Sequence, residues 1–594
     1  MHKIVLGLLV VFALMACNIP QKSQDNKVDV EASQSTDKME WWRNDRFGMF
    51  IHFGLYSQCE GYWKDESIGG IGEWIFKHAK IPVDEYKELA NTFTCENMDV
   101  DAWAKLAKES GMKYVVITTK HHDGFALFHS KVNDFNVVDA TPYSKDIIAE
   151  FVEACRKYDL KIGFYYSQYQ DWSYQGAGGN NWDKPYAWSK EGFKNYMDEK
   201  ALPQVRELLT NYGKIDMIWF DTPGKMKKEE SEAFLNLAKD VQPKIIVSGR
   251  VGNDVGDYVQ MEDNDLPKRR PDFDWEAPVT MNHTWAYKRD DHHWKSAGYM
   301  LWQLTYSAAM GGNYLLNIGP KGDGSVPQES VNRLKVIGDW MKVNSEVIYE
   351  ADPSPFVNAF NWGGITHKGN KLYLNITDWP KRQLSIFGLQ NKVNKAYFLA
   401  SGDAVETSRE GEYLVLALPD EAPDRNATVV VLEIEGEPIV NQALVQKLDG
   451  QIILESELAE NTTGRMTHFG SVKKWMKPKG KLAWDFEVTQ AGKFKVEVIT
   501  TGFKRMAWPE KPALWDGGHK VKIVVDEQEI KGEVDKDRTE KAPHDLYNDF
   551  KVAEMGTVTI KEAGRHHLEL VAETIVNSNK AGLAVRMVRL VPSK

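Results

Sequence analysis

Cysteine is nearly absent. Four thiols occur in 594 residues, at Cys17, Cys59, Cys95 and Cys155, with no Cys-x-x-Cys pair and no Cys/His ligand spacing. Neither a disulfide scaffold nor a structural zinc site is expected, and no metal or cofactor is called for. No Gly-x-Gly-x-x-Gly follows an apolar run, which removes the usual dinucleotide fold. Positive charge is short too: 74 Lys and Arg face 85 Asp and Glu, a net charge of -11. That balance argues against nucleic acid or an anionic membrane face as a partner. Beyond the N-terminus no run is apolar and long enough to span a membrane.

The N-terminus itself has a basic start, Met1-His2-Lys3, an apolar block from Ile4 to Met15, and a small residue before Cys17. This is a signal peptide, its core too short to span a bilayer. Leu14-Met15-Ala16-Cys17 resembles a bacterial lipobox, in which Cys17 becomes the lipidated terminus. Residues 1–38 are then signal and polar tether, and the protein is expected to be an exported periplasmic or cell-surface lipoprotein, touching membrane only through that lipid. A plain secretory signal with an incidental Cys17 is the alternative.

Two to four domains are expected at this length. From 39 to 350 amphipathic helices alternate with short, continuously apolar strands. Trp103, Leu106 and Ala107 space a helix before Tyr114-Val115-Val116-Ile117, and Ile147, Ile148, Phe151, Val152 and Cys155 space another before Ile162-Gly163-Phe164. Such alternation means a parallel sheet covered on both faces, and its extent fits a (β/α) barrel of the TIM type. After Asp352-Pro353-Ser354-Pro355 the helices stop. Residues 351–438 read as a small antiparallel β-domain, and 439–594 as a second β-sandwich, either a carbohydrate-binding module or a packing domain.

In a barrel the strand ends carry function. Those ends present His52, His121-His122, Tyr165-Tyr166, Trp219, Asp221 and Arg250, while Glu262 and Glu276 read as members of one long loop. Asp221 alone is equally a turn or cap residue, but a polar or aromatic group at each successive strand end is hard to obtain from packing. Three His near carboxylates raise the question of a metal. Adjacent His121 and His122 fit ligation poorly, since strand alternation sends neighbours to opposite faces. A carboxylate pair acting on a glycosidic bond needs no cofactor: Asp221 suits the fixed nucleophile, with Glu262 or Glu276 as the acid.

Several short segments occur in the order found in the α-L-fucosidases of glycoside hydrolase family 29, which the chain resembles over about residues 40 to 435. They are Arg46-Phe47-Gly48-Met49-Phe50-Ile51-His52-Phe53-Gly54, Gly72-Glu73-Trp74, Lys120-His121-His122-Asp123-Gly124-Phe125, Trp219-Phe220-Asp221, Trp275-Glu276 and Trp285-Ala286-Tyr287. The resemblance implies a retaining exo-enzyme that removes terminal α-L-fucose from oligosaccharides or glycoconjugates, with Asp221 as nucleophile. His52, Glu73, Trp74, His121, His122, Tyr166, Trp219 and Arg250 would line its sugar subsite. For the acid/base the family offers two placements, matching Glu262 and Glu276, of which Glu262 is preferred. The rival readings are an α-L-galactosidase and a glycan-binding protein without catalysis.

Overall fold

In the computed structural model the described residues are 37–593, apart from 466, 469, 503–515, 541–549 and 579–580. Cys17 and nearly all of the tether lie outside them.

The barrel has eight strands: β1 (Phe47–Ile51), β2 (Tyr114–Lys120), β3 (Lys161–Tyr166), β4 (Met217–Phe220), β5 (Ile246–Val247), β6 (Val259–Gln260), β7 (Trp275–Thr280) and β8 (Asn313–Ile318). All neighbours are parallel, in the order β5-β4-β3-β2-β1-β8-β7-β6. A parallel bridge from Ser248 to Tyr258 brings β5 to β6, so the sheet closes in chain order. The longer helices outside it are α1 (Val100–Glu109), α2 (Ile147–Lys157), α3 (Leu202–Asn211), α4 (Lys228–Val241), α5 (Ala297–Ala309) and α6 (Gln328–Asn344). Asp99, Asp146 and Ser296 start α1, α2 and α5 by accepting the backbone N–H of Ala102, Ala149 and Tyr299, donors that would otherwise lack a partner.

Strand alternation sorts the apolar residues into two cores. Phe50, Tyr114, Val116, Tyr165, Met217, Trp219, Ile246 and Leu315 turn inward and pack with Trp42 and Tyr258. Met49, Ile51, Val115, Ile117, Phe164, Ile218 and Phe220 turn outward into the helix layer. Each such large side chain contributes about 1.5–3 kcal/mol by leaving water. Gly48 makes room inside the barrel, since a Cβ there would lie 2.4 Å from the Tyr114 ring.

One quarter of the barrel departs from the expected alternation. Between Ile246 and Trp275 the chain makes β5, β6 and the start of β7 with one 3-10 turn, Gly249–Val251, and no α-helix. The stretch past Arg250 that holds Glu262 and Glu276 reads as one loop in the sequence because β6 has two residues and no helix announces it. The small β-domain meets the barrel here. Arg270 donates its N–H to Val357 O at 2.8 Å, and Ala359 returns one to Lys268 O at 3.1 Å. Beside this seam the strand Gly363–Lys368 lies on α5, where a Cβ on Gly364 would come 2.8 Å from Ala309.

That β-domain pairs a four-stranded sheet with a three-stranded one around Ile365, Leu374, Leu416 and Val430. Among its described residues the last region packs a seven-stranded sheet on a five-stranded one, both antiparallel, around Trp475, Trp484 and Phe486. The fold is thus a TIM-like barrel followed by antiparallel β-sheet domains. Cys59, Cys95 and Cys155 are buried and free.

Candidate active site

Asp221 is the first residue past β4, and alternation along Met217, Trp219 and Asp221 turns it inward at the C-terminal rim. Tyr165 Oη donates to its Oδ2 at 2.9 Å, and Arg250 Nη1 to its Oδ1 at 3.1 Å. His122 Nε2 is 3.6 Å from Oδ2. The next residue, Thr222, has φ 45°. A β-branched residue in the left-handed region costs on the order of 1–3 kcal/mol and persists only where its surroundings hold it. Gln170 Nε2 holds it, donating to Thr222 Oγ1 at 2.9 Å.

Arg250 follows β5 on the 3-10 turn. Its guanidinium is shared by Asp221, Asp263 Oδ1 at 2.5 Å and Met261 O at 3.2 Å, and lies 5.2 Å from the Trp219 ring centre. Burial opposes its charge, but Asp263 and Asp221 outweigh burial and raise its pKa above the ordinary value. Asp263 was not singled out in the sequence; its one signal was its place beside Glu262.

Three imidazoles line the other side. His52 Nδ1 bonds Asn317 Oδ1 at 2.7 Å, so it carries the proton and leaves Nε2 as an acceptor. His122 Nδ1 bonds Ser167 Oγ at 2.7 Å, and the His121 ring lies along Tyr165 with centroids 5.6 Å apart. Burial pushes His52 down to about 4 and His121 and His122 well below their usual range, so all three are neutral near pH 7. Trp74 stands edge-on to His122 at 5.6 Å, and Trp285, quoted in the resemblance but not counted among the subsite residues, lies 5.0 Å from His52.

Glu73 sits in the turn Gly72–Trp74. Its Oε2 accepts Thr284 Oγ1 at 3.2 Å and the N–H groups of Trp285 and Ala286 at 3.2 and 3.0 Å. Its Oε1 is buried without a partner among the described residues. Burial pushes this carboxyl up to about 7. A raised folded-state pKa means stability that is present below the unfolded value near 4.5 and lost as pH rises toward 7. Glu73→Gln imitates the protonated form, so its stability relative to the parent is expected to climb by roughly 1–3 kcal/mol between pH 4.5 and 7.5. Urea unfolding at both pH values reads this directly, and a flat difference would refute it.

Two expected positions are corrected. Tyr166 faces the helix layer, its hydroxyl on Gln204 Oε1 at 2.9 Å, and its neighbour Tyr165 points into the site. Glu276 is not a loop residue. It is the second residue of β7, level with Asn313 at the start of β8 and fully buried. Its Oε1 accepts Trp219 Nε1 at 2.8 Å and Tyr258 Oη at 3.1 Å, and its Oε2 accepts Tyr114 Oη at 2.8 Å. Glu262, by contrast, is exposed in the turn after β6, beside the Asp263 that holds Arg250.

The site is thus one connected cluster at the strand ends: a fixed carboxylate, a shared guanidinium, neutral imidazoles and indole faces. Such a set binds ring hydroxyls and an apolar sugar face. An α-L-fucosidase family model matches residues 13–346. Tissue α-L-fucosidase of Bos taurus is 29% identical over 365 residues, 57% of this chain and 75% of its own length. The crystal structure of α-L-fucosidase from Vibrio sp. strain EJY3 superposes with a TM-score of 0.81 at 30% identity, covering 94% of this chain and 98% of that one. A Bacteroides thetaiotaomicron α-L-fucosidase, trapped as a covalent intermediate with 2-fluoro-fucosyl fluoride, aligns with a TM-score of 0.61 at 29% identity over 68% of this chain and 97% of its own. With more than half its length matched by the family model and its strand-end cluster in place, the chain belongs to the α-L-fucosidases of glycoside hydrolase family 29.

Proposed function

We propose that the protein removes terminal α-L-fucose from glycans with retained configuration, using Asp221 as nucleophile and Glu262 as acid/base. The observation that carries this reading is the setting of Asp221: Tyr165 and Arg250 each aim a donor at one of its oxygens, which fixes the direction of the carboxylate. In the first step an Asp221 oxygen bonds to the anomeric carbon as the aglycone oxygen leaves with the proton of Glu262. In the second, water gives a proton to Glu262 and its oxygen to the anomeric carbon, releasing Asp221. The covalent intermediate of the Bacteroides relative supports this route.

His52, His121, His122 and Glu73 are assigned to the sugar hydroxyls, and Trp74, Trp219 and Trp285 to its apolar face. Labelling with a 2-fluoro-fucosyl fluoride followed by peptide mapping tests the reading. The label is expected on Asp221, and the sugar first released from an aryl α-L-fucoside is expected to be the α-anomer; a β-anomer or a label elsewhere refutes it.

Alternation predicts a contrast between neighbours. Tyr165→Phe removes a bond to a charged group and is expected to lower kcat by about 10- to 100-fold. Tyr166→Phe breaks bonds to Gln204 and Tyr196 in the helix layer, away from Asp221, and is expected to cost about 1 kcal/mol of stability with turnover unchanged. Steady-state kinetics and thermal melts of the two variants check both halves.

A further inference from the structure

Outside the catalytic cluster the loop between β7 and α5 brings together His283, Asp291 and His293, whose ligand atoms all lie within 4.8 Å of one another. We propose that these three side chains bind one divalent transition-metal ion, zinc fitting best, and that the ion fastens this loop. Asp291 Oδ1 is 3.3 Å from His293 Nδ1 and 3.8 Å from His283 Nδ1. Ligand atoms each about 2.0–2.1 Å from a tetrahedral zinc stand about 3.3–3.4 Å apart, so the cluster needs only a small contraction. Two imidazoles and one carboxylate select zinc, nickel or copper over the oxygen-seeking calcium and magnesium.

The carboxylate is already oriented. Asp291 Oδ2 accepts the N–H of His283 at 2.9 Å, and its Oδ1 accepts the N–H of His293 at 3.1 Å. Such outer contacts fix a ligand's direction before metal arrives. The Asp291 side chain is fully buried and that of His293 is 49% exposed, which gives a route of entry and a fourth position for water. The nearby cation, Lys295, is engaged elsewhere, donating to Asn264 Oδ1 at 2.7 Å and Thr280 O at 2.5 Å. Spacing along the chain does not announce this site, where no metal is expected from the sequence: His-x7-Asp-x-His does not fit one strand or helix face. Between the two His lie Thr284, Trp285 and Ala286, which hold Glu73, and Trp285 also faces His52, so the ion steadies a wall of the sugar pocket from outside it.

The test is calorimetric titration of tag-free, chelator-stripped full-length protein with zinc chloride, alongside hydrogen exchange and thermal melts. One equivalent is expected to bind saturably, to slow exchange across 282–294, and to raise the unfolding midpoint by about 3–5 °C at a hundredfold excess over Kd. His293→Ala and His283→Gln, whose melts without metal report on folding, are each expected to weaken binding by more than about 100-fold. His567→Ala, in the exposed cluster with Asp485 and Glu569, is expected to leave binding unchanged. Absence of saturable binding up to millimolar zinc, binding that survives both loop variants, or binding lost with His567→Ala would overturn the proposal.

Discussion

Asp221→Asn is expected to leave the fold intact and to lower turnover of an aryl α-L-fucoside by about 10³- to 10⁵-fold. The amide matches the carboxylate in shape, and its oxygen still accepts from Tyr165. Arg250 keeps Asp263 and Met261 O, so no buried cation is stranded. What disappears is the negative oxygen that bonds to the anomeric carbon. The smaller Asp221→Gly adds a stereochemical check. Azide entering the vacated space attacks the face opposite the leaving group and gives β-L-fucosyl azide. Unaltered hydrolysis by Asp221→Asn would mean that no chemistry runs through this carboxylate.

Glu262→Ala and Glu276→Ala are expected to fail in different ways. Loss of the acid/base at Glu262 should cost about 10²- to 10⁴-fold in turnover, least for substrates whose leaving group needs no proton. Azide then intercepts the covalent intermediate and restores turnover, with the α-azide as product. Glu276→Ala instead leaves Tyr114 Oη, Tyr258 Oη and Trp219 Nε1 buried without their acceptor. We expect a loss of about 3–5 kcal/mol in unfolding experiments and no rescue by azide. Burial raises the Glu276 pKa while those donors oppose it, the balance of a structural carboxylate sealed in a barrel. A folded Glu276→Ala enzyme revived by azide would reverse the assignment.

The contrast between these residues shows what the sequence made legible. Asp221, His52, His121, His122, Trp219 and Arg250 follow or end apolar runs, and a run that stops at a polar group marks a strand end. Which of Tyr165 and Tyr166 faces inward was not legible, because a strand buried on both faces carries no apolar/polar alternation to set its parity. Glu276 was misplaced for another reason. Two residues of β6 and a missing helix left no periodic signal between Ile246 and α5, so a strand looked like loop. Trp285 and Asp263 act through contacts made after folding, which spacing along the chain does not report.

The seam between Lys268–Arg270 and Val357–Ala359 bears on how far this enzyme can be cut down. Upstream, the loop carrying Glu262 is tied to the barrel by Met261 N–H on Glu276 O and Asn264 N–H on Pro278 O. Downstream, its anchor is the β-domain, standing where other barrels keep a helix. A minimal catalytic domain ending near residue 350 would therefore retain Asp221 in its rigid setting but release one side of the span that carries Glu262, the proposed acid/base. The β-domain is in that sense an architectural part of the loop to which the acid/base role is assigned by proposal, and the smallest autonomous catalyst is expected to extend through it.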